Sequence, residues 1–158
     1  MEESVTFYRV PKEWDHINVY SKGESELGRL LSNFAHIPLD LPVHKHFESM
    51  EGYWYWLTKR DDRLREEWGY SAKQLGRKLP NMNKCINFER CIKEALLLKL
   101  KNPAIHKLLK ETKPITLRHY YVNDGIINDQ TEKNQWWLNT ISNYWNAMHK
   151  KPKRFSLK

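Results

Sequence analysis

The stretch NFERCIKEALLLKLK, residues 87–101, decides the fold class. Its apolar residues recur at spacings of three and four, in the order Phe88, Cys91, Ile92, Ala95 and Leu96. Charged residues fall between them, so one apolar stripe runs along a helix that faces a core. We therefore predict an amphipathic helix over 87–101 as the central packing element. Asn102-Pro103 ends this helix and opens a shorter one through Leu108 and Leu109.

Three further helices are predicted, two before this element and one after it. Ser49 is a plausible N-cap for a helix that runs through SMEGYWYW, residues 49–56. The segment SAKQLGRKL, 71–79, is a short helix opened by Ser71. A last amphipathic helix carries the apolar residues Trp136, Trp137, Ile141, Tyr144, Trp145 and Met148.

Short β-branched and aromatic runs predict the strands. We place them at Val5–Val10, Ile17–Tyr20, Ile37–Val43 and 115–122, the last followed by a turn at Asn123-Asp124-Gly125. Residues 21–34 are predicted to be a loop. The fold class is therefore α+β, mostly helical, with a few short strands in a single domain over residues 1–150 and a basic tail over 151–158.

Composition indicates the kind of partner. The 158 residues hold 27 Lys and Arg against 19 Asp and Glu, a formal net charge of +8. Such a chain is attracted to polyanions, of which nucleic acid is the obvious one, although Lys-rich helix faces that are merely solvated explain the charge equally well. Aromatic residues reach 13%, with seven Trp, which suggests stacking surfaces.

Several classes of protein are not expected. No window holds the roughly 18 apolar residues of a membrane span, and the N-terminus has neither a basic start nor an apolar run, so we expect a cytoplasmic protein. Cys85 and Cys91 lie six apart in a predicted helix, on different sides of it. His44 and His46 form a pair without a third ligand. We therefore expect no disulfide, no metal and no cofactor.

Five pieces in order resemble a known family. They are VYSK (19–22) with LSNFA (31–35), SMEGYWYW (49–56), SAKQLGRK (71–78), EALLLKLKNP (94–103) and LLKET (108–112). Their order and separations resemble those of the NADAR family over residues 17–148. The resemblance implies one YbiA-like domain and hydrolysis of N-glycosidic bonds, either in ribosylated intermediates of riboflavin synthesis or between ADP-ribose and guanine in nucleic acid.

The resemblance also implies site residues. Glu51 matches the family's catalytic glutamate, and a gapless extension places a second acid at Asp124. Substrate binding falls to Lys22, Ser32, Asn33, Phe34, Tyr53, Trp54, Gly76 and Arg77. Lys84 stands where the family has a tryptophan, and the Trp-Gly pair that follows the family's second acid is absent.

The residue types fit this chemistry, although each has a plainer explanation. A carboxylate beside the sugar stabilises the growing positive charge and orients water, while rings stack on the base. Asn33 offers a donor and an acceptor to ribose hydroxyls, and Lys22 and Arg77 suit phosphates. Against this, Tyr53 and Trp54 also fit a core stripe. His119 is either a proton donor to the leaving base or a strand histidine with its hydrogen bonds made, and we favour the latter.

Three functions follow. The leading one is removal of ADP-ribose from ADP-ribosylated guanine in DNA, which reverses a toxin's modification. We expect a monomer in the cytoplasm, either a free-standing repair factor or a phage protein that serves counter-defence in the host cytoplasm. DNA is then the partner and ADP-ribose the product ligand. The net charge favours this over the second, an N-glycosidase of riboflavin intermediates. The third, a binder of ADP-ribosylated nucleic acid without catalysis, is motivated by the residues missing from the family pattern.

Overall fold

The computed structural model describes residues 5–7, 10–82, 85 and 87–150. The helices are α1 (Glu26–Leu31), α2 (Met50–Lys59), α3 (Gly69–Lys78), α4 (Phe88–Lys99), α5 (Pro103–Glu111) and α6 (Thr131–His149), with a 3₁₀ helix at Asp62–Glu66. The strands are β1 (Val5–Phe7), β2 (His16–Asn18), β3 (Leu39–Leu41), β4 (Lys45–Phe47), β5 (Thr116–Arg118), β6 (Tyr120–Asn123) and β7 (Ile126–Asp129). The predicted tail 151–158, Lys84 and part of the first predicted strand lie outside the described residues.

Helix α4 lies at the centre of the core, as its sequence predicts. It packs against α6, α2 and β3, and its apolar stripe is fully buried at Ile92 and Ala95. The opposing face of α6 contributes Trp137 and Trp145, both buried. The α+β class with a helical majority is confirmed.

A capping side chain begins helices α1, α2 and α5. Ser49 caps α2, because its Oγ accepts a hydrogen bond of 3.0 Å from the Gly52 N–H. Asn102 caps α5 in the same way, and Pro103 occupies the first turn. The prediction that Ser71 opens α3 is wrong, since the helix begins two residues earlier at Gly69, without a side-chain cap.

Two segments differ from their predicted form. Residues 21–34 contain α1, a six-residue helix capped by Ser25 and anchored by the buried Leu27 and Leu31. The predicted strand 115–122 divides at His119, because β5 pairs in parallel with β2 whereas β6 pairs antiparallel with β7. β4 and β7 were not predicted; each is short and completes a hairpin.

Small sheets set the framework of the site. β1, β7 and β6 form one sheet, β2 and β5 a second, and β3 and β4 a third. The parallel pairing of β2 with β5 brings Val19 beside Arg118, whose carbonyl accepts a hydrogen bond of 2.8 Å from the Val19 N–H. The predicted turn between β6 and β7 is present, with Asp124 and Gly125 in the left-handed region. Within the described residues, no helix has the length and apolar character of a membrane span.

Candidate active site

A cleft of about 840 Å³ opens between α2, α3, the start of β6 and α6. The residues that line it come from six parts of the chain: Tyr20, Ser21, Lys22, Ser32, Asn33, Phe34, Glu51, Trp54, Tyr55, Tyr70, Lys73, Arg77, His119, Tyr121, Asn123, Asn134 and Trp137. Of the predicted site residues, the cleft brings together Lys22, Ser32, Asn33, Phe34, Glu51, Trp54 and Arg77.

Glu51 is held in the first turn of α2 by backbone contacts. Its N–H donates a hydrogen bond of 2.9 Å to the Asn33 carbonyl, which joins α2 to the loop after α1. The Ser49 hydroxyl, while capping the helix, donates to the Glu67 carbonyl at 2.8 Å. A helix N-terminus also stabilises a carboxylate. These contacts fix the backbone of the first turn of α2, from which the Glu51 side chain extends.

The cleft sets the protonation of Glu51. Burial raises the pKa of the Glu51 carboxyl to about 7, against the opposing charges of Lys73, Arg77 and Lys99. Desolvation disfavours the carboxylate, and three cations favour it. Near neutral pH the group therefore exists in both forms, which suits a residue that transfers protons.

Lys99 is a buried cation behind Glu51 that sequence reasoning missed. Its side chain is 1% exposed, and its Nζ donates hydrogen bonds to the carbonyls of Leu31 at 3.2 Å and Ser32 at 2.7 Å. Burial lowers the pKa of Lys99 to about 7, and the Glu51 carboxylate opposes this shift. The sequence does contain one sign that Lys99 is buried, because Lys99 continues the buried stripe of α4 after Ile92 and Leu96.

Aromatic rings line the cleft beside Glu51. Trp54 lies there with its ring edge-on to Phe88, at 5.0 Å between centroids. Tyr55, which was not predicted, occupies the space that Gly76 leaves, since a Cβ on Gly76 would overlap the Tyr55 ring. Gly76 therefore acts through Tyr55 and does not itself line the cleft.

Two other predicted site residues lie elsewhere. Tyr53 is 2% exposed, its ring packs on Phe47 and its hydroxyl contacts His44 Nδ1 at 2.7 Å. It is a core residue and has no access to a base. Asp124 is exposed in the β6–β7 turn and does not line the cleft, because the turn carries it beyond Asn123. The second acid inferred by gapless extension is therefore absent from this site.

Gly52, the residue after Glu51, lets another element approach α2 closely. A Cβ there would overlap the Leu64 carbonyl oxygen of the 3₁₀ helix. The absence of a side chain lets this helix pack on α2. Gly52 is thus a packing residue of the wall behind Glu51.

Cations and polar groups complete the cleft. Lys22, Lys73 and Arg77 line it, and Lys73 Nζ lies 5.8 Å from the ring centroids of both Phe34 and Tyr121. Three cations in one cleft suit a ligand that carries phosphates. Lys73, like Tyr55, was not predicted, although it lies in the same α3 motif as Arg77.

The loop 32–34 holds a buried acceptor without a partner beside the cleft. Ser32 Oγ accepts a hydrogen bond of 3.2 Å from the Phe34 N–H and so shapes the turn. The buried Asn33 Oδ1 has no hydrogen-bond partner among the described residues. A buried acceptor without a partner is costly unless a ligand supplies the donor.

The His and Cys residues considered as metal ligands make separate contacts. His46 contacts Asp40 and Glu48 at the surface, whereas His44 bonds Tyr53. Cys85 and Cys91 are free thiols. In the described part of the chain, no group of three or more His, Cys, Asp or Glu side chains is placed to hold a metal ion.

Comparison with known proteins defines the fold. No family model matches the chain, and no curated protein matches it. Among solved structures, the NMR structure of the E. coli protein YbiA is similar, with 21% sequence identity, a TM-score of 0.60 and coverage of 90% of each chain. The cleft with Glu51 is therefore built on a YbiA-like fold.

Proposed function

We propose that this chain hydrolyses the N-glycosidic bond between ADP-ribose and guanine in DNA. The observation that carries the proposal is the Glu51 carboxyl, held at the start of α2 in a cleft lined by aromatic rings and three cations. Each part of an ADP-ribosylated base has a counterpart there: cations for the diphosphate, rings for the base and a carboxyl for the sugar.

The chemistry follows from the bond that breaks. As the C1′–N bond of the ribose lengthens, positive charge grows at C1′, and a carboxylate beside this carbon stabilises it. As the C1′–N bond breaks, water adds to C1′ and gives a proton to the Glu51 carboxylate, while the leaving nitrogen of guanine takes up a proton from solvent. Glu51 then returns its proton to solvent. A carboxyl whose pKa is about 7 can accept one proton and release it again in each cycle.

Charge favours a macromolecular substrate. The chain has a formal net charge of +8, and an enzyme that acts on modified DNA gains affinity and encounter rate from such an excess. A cleft of about 840 Å³ also has the size of a small-ligand pocket, which keeps hydrolysis of ribosylated riboflavin intermediates as the second candidate.

One assay separates these functions. A DNA oligonucleotide that carries ADP-ribosylated guanine is incubated with the wild-type protein, with Glu51→Gln and with Glu89→Gln. Glu89 is the matched control, because it is an exposed acid in the first turn of α4.

We expect mass spectrometry to show loss of the ADP-ribose mass with the wild type and with Glu89→Gln. Glu51→Gln should be slower by about 10²–10⁴-fold, the contribution of a general base. Retention of the mass by all three proteins, together with turnover of a ribosylamino-pyrimidine phosphate, would favour the second candidate. Tight binding without any turnover would indicate a non-catalytic binder.

A further inference from the structure

His119 lies in the cleft with one ring nitrogen bound and the other available. Its Nδ1 lies 2.6 Å from the Val19 carbonyl oxygen, which can only accept, so Nδ1 carries the hydrogen and donates it. In the neutral ring Nε2 then keeps a lone pair. Among the described residues no group hydrogen-bonds to Nε2, while the ring lines the cleft. His119 therefore offers an acceptor to whatever occupies the cleft.

Two aromatic rings flank the His119 imidazole. The Tyr121 and Trp137 rings stand edge-on to the imidazole, at 5.2 and 5.6 Å between centroids. Burial lowers the pKa of His119, the Val19 hydrogen bond opposing this, so the neutral ring is favoured. The hydrogen bond to Val19 is possible because β2 and β5 run in parallel.

The cleft contains two kinds of polar group with different uses. Lys22, Lys73 and Arg77 are cations, which suit the phosphate oxygens of a ligand. Asn33 Oδ1 and His119 Nε2 are acceptors, which need N–H or O–H donors and repel phosphate. Asn33 is tied through its backbone carbonyl to the Glu51 N–H, so this residue lies close to Glu51 and to the sugar of the proposed substrate.

We propose that His119 Nε2 accepts a hydrogen bond from an N–H group of the guanine base, which makes His119 a specificity-determining residue. The inference rests on the proposed function, since it places the base of that substrate beside His119 in the cleft. The ring nitrogen on the pairing edge of guanine, N1, carries an N–H donor, whereas adenine N1 and cytosine N3 are acceptors. An imidazole acceptor opposite this ring nitrogen therefore favours guanine over adenine and cytosine, although not over thymine, whose N3–H also donates.

Two substitutions separate the two ring nitrogens. The amide of His119→Asn reaches the place of Nδ1, so this variant keeps a donor to Val19 and loses the acceptor in the cleft. The longer His119→Gln reaches the place of Nε2, so it keeps an acceptor there and loses the Val19 contact. Both are made in the Glu51→Gln protein, so that the modified oligonucleotide stays intact during binding.

The dissociation constants of two probes are measured for each variant: the oligonucleotide with ADP-ribosylated guanine, and free ADP-ribose. We expect His119→Asn to bind the oligonucleotide about tenfold more weakly, the loss of one hydrogen bond, with ADP-ribose binding unchanged. His119→Gln should stay near the parent affinity although it is the less stable of the two in thermal unfolding.

If His119→Asn weakened the binding of the oligonucleotide and of ADP-ribose equally, the inference would be overturned, because the acceptor would then serve the sugar. Weakening by His119→Gln alone would also overturn it, since the role would be structural support from Val19. If the protein with wild-type Glu51 releases ADP-ribose from the oligonucleotide while His119→Asn binds normally, only the inference on His119 fails. If the protein with wild-type Glu51 releases no ADP-ribose and the Glu51→Gln protein does not bind the oligonucleotide, the proposed function fails, and the inference fails with it.

Discussion

The Lys99 ammonium donates a hydrogen bond of 2.7 Å to the Ser32 carbonyl, and so ties the centre of the core to the loop that lines the cleft. The next residue of that loop, Asn33, accepts from the Glu51 N–H through its carbonyl. One buried cation thus supports both the loop and the charge of Glu51. Helix α4, which decides the fold, also reaches the candidate site.

Replacing Lys99 by Met tests this double role. Met fills a similar volume but leaves the buried Leu31 carbonyl without the Lys99 donor, while the Ser32 carbonyl keeps its hydrogen bond from the Ala35 N–H. This loss should lower the free energy of unfolding by about 1–3 kcal/mol. It also removes a cation that lowers the pKa of Glu51. We therefore expect the rise of kcat/KM with pH to move to higher pH, as measured by a pH–rate profile.

Lys101→Met is the control, because Lys101 lies two residues further on and is exposed. It should change neither urea unfolding nor the pH profile. A Lys99→Met protein that loses stability but keeps the wild-type profile would show that Lys99 supports the loop alone.

Glu51→Gln should stabilise the fold at alkaline pH. The folded-state pKa of Glu51 is raised from 4.5 to about 7, so its contribution is most favourable below pH 4.5 and is lost as the pH rises through 7. Gln carries no charge and avoids this loss. We expect the variant to exceed the wild type in free energy of unfolding at pH 8.

The gain should shrink towards pH 5, and urea unfolding at both values measures it. Glu89→Gln, at the exposed position used above, should show no such dependence. A variant that is less stable than the wild type at pH 8 would mean that the Glu51 carboxylate is stabilised in the fold, contrary to the direction of its pKa shift.

The sequence predicts the parts of the site that local chemistry determines. The first turn of α2, with the Ser49 cap and Glu51 two residues later, follows from residue type and spacing. Lys99 could not be recognised as a site residue, because its partners Leu31 and Ser32 are more than 60 residues away. Spacing also could not show that Tyr53 faces the core, since only the packed fold decides which ring of SMEGYWYW lies in the cleft.

Gly76→Ala tests how the Tyr55 ring is positioned. Within a helix this change alone stabilises by about 1 kcal/mol. Here the new Cβ would overlap the Tyr55 ring, and overpacking typically costs about 1–3 kcal/mol. We expect a net loss of thermal stability and weaker binding of the modified oligonucleotide, as Tyr55 moves.

Gln74→Ala on the exposed side of the same helix is the control, and it should be neutral or slightly stabilising. If Gly76→Ala were as stable as Gln74→Ala, the ring would have moved aside at no cost, and Gly76 would not be what positions Tyr55.

Asp124→Asn decides whether the second acid acts in catalysis. Asp124 has φ of 50° at an exposed turn, and Asn adopts this left-handed conformation as readily as Asp does, so the substitution should leave the fold intact. Because Asp124 does not line the cleft, we expect the rate of ADP-ribose release to stay within about twofold of the wild type, against the 10²–10⁴-fold loss of a general acid or base. A loss of that larger size, in a protein with unchanged thermal unfolding, would mean that the β6–β7 turn closes over the substrate and brings Asp124 to the reacting bond.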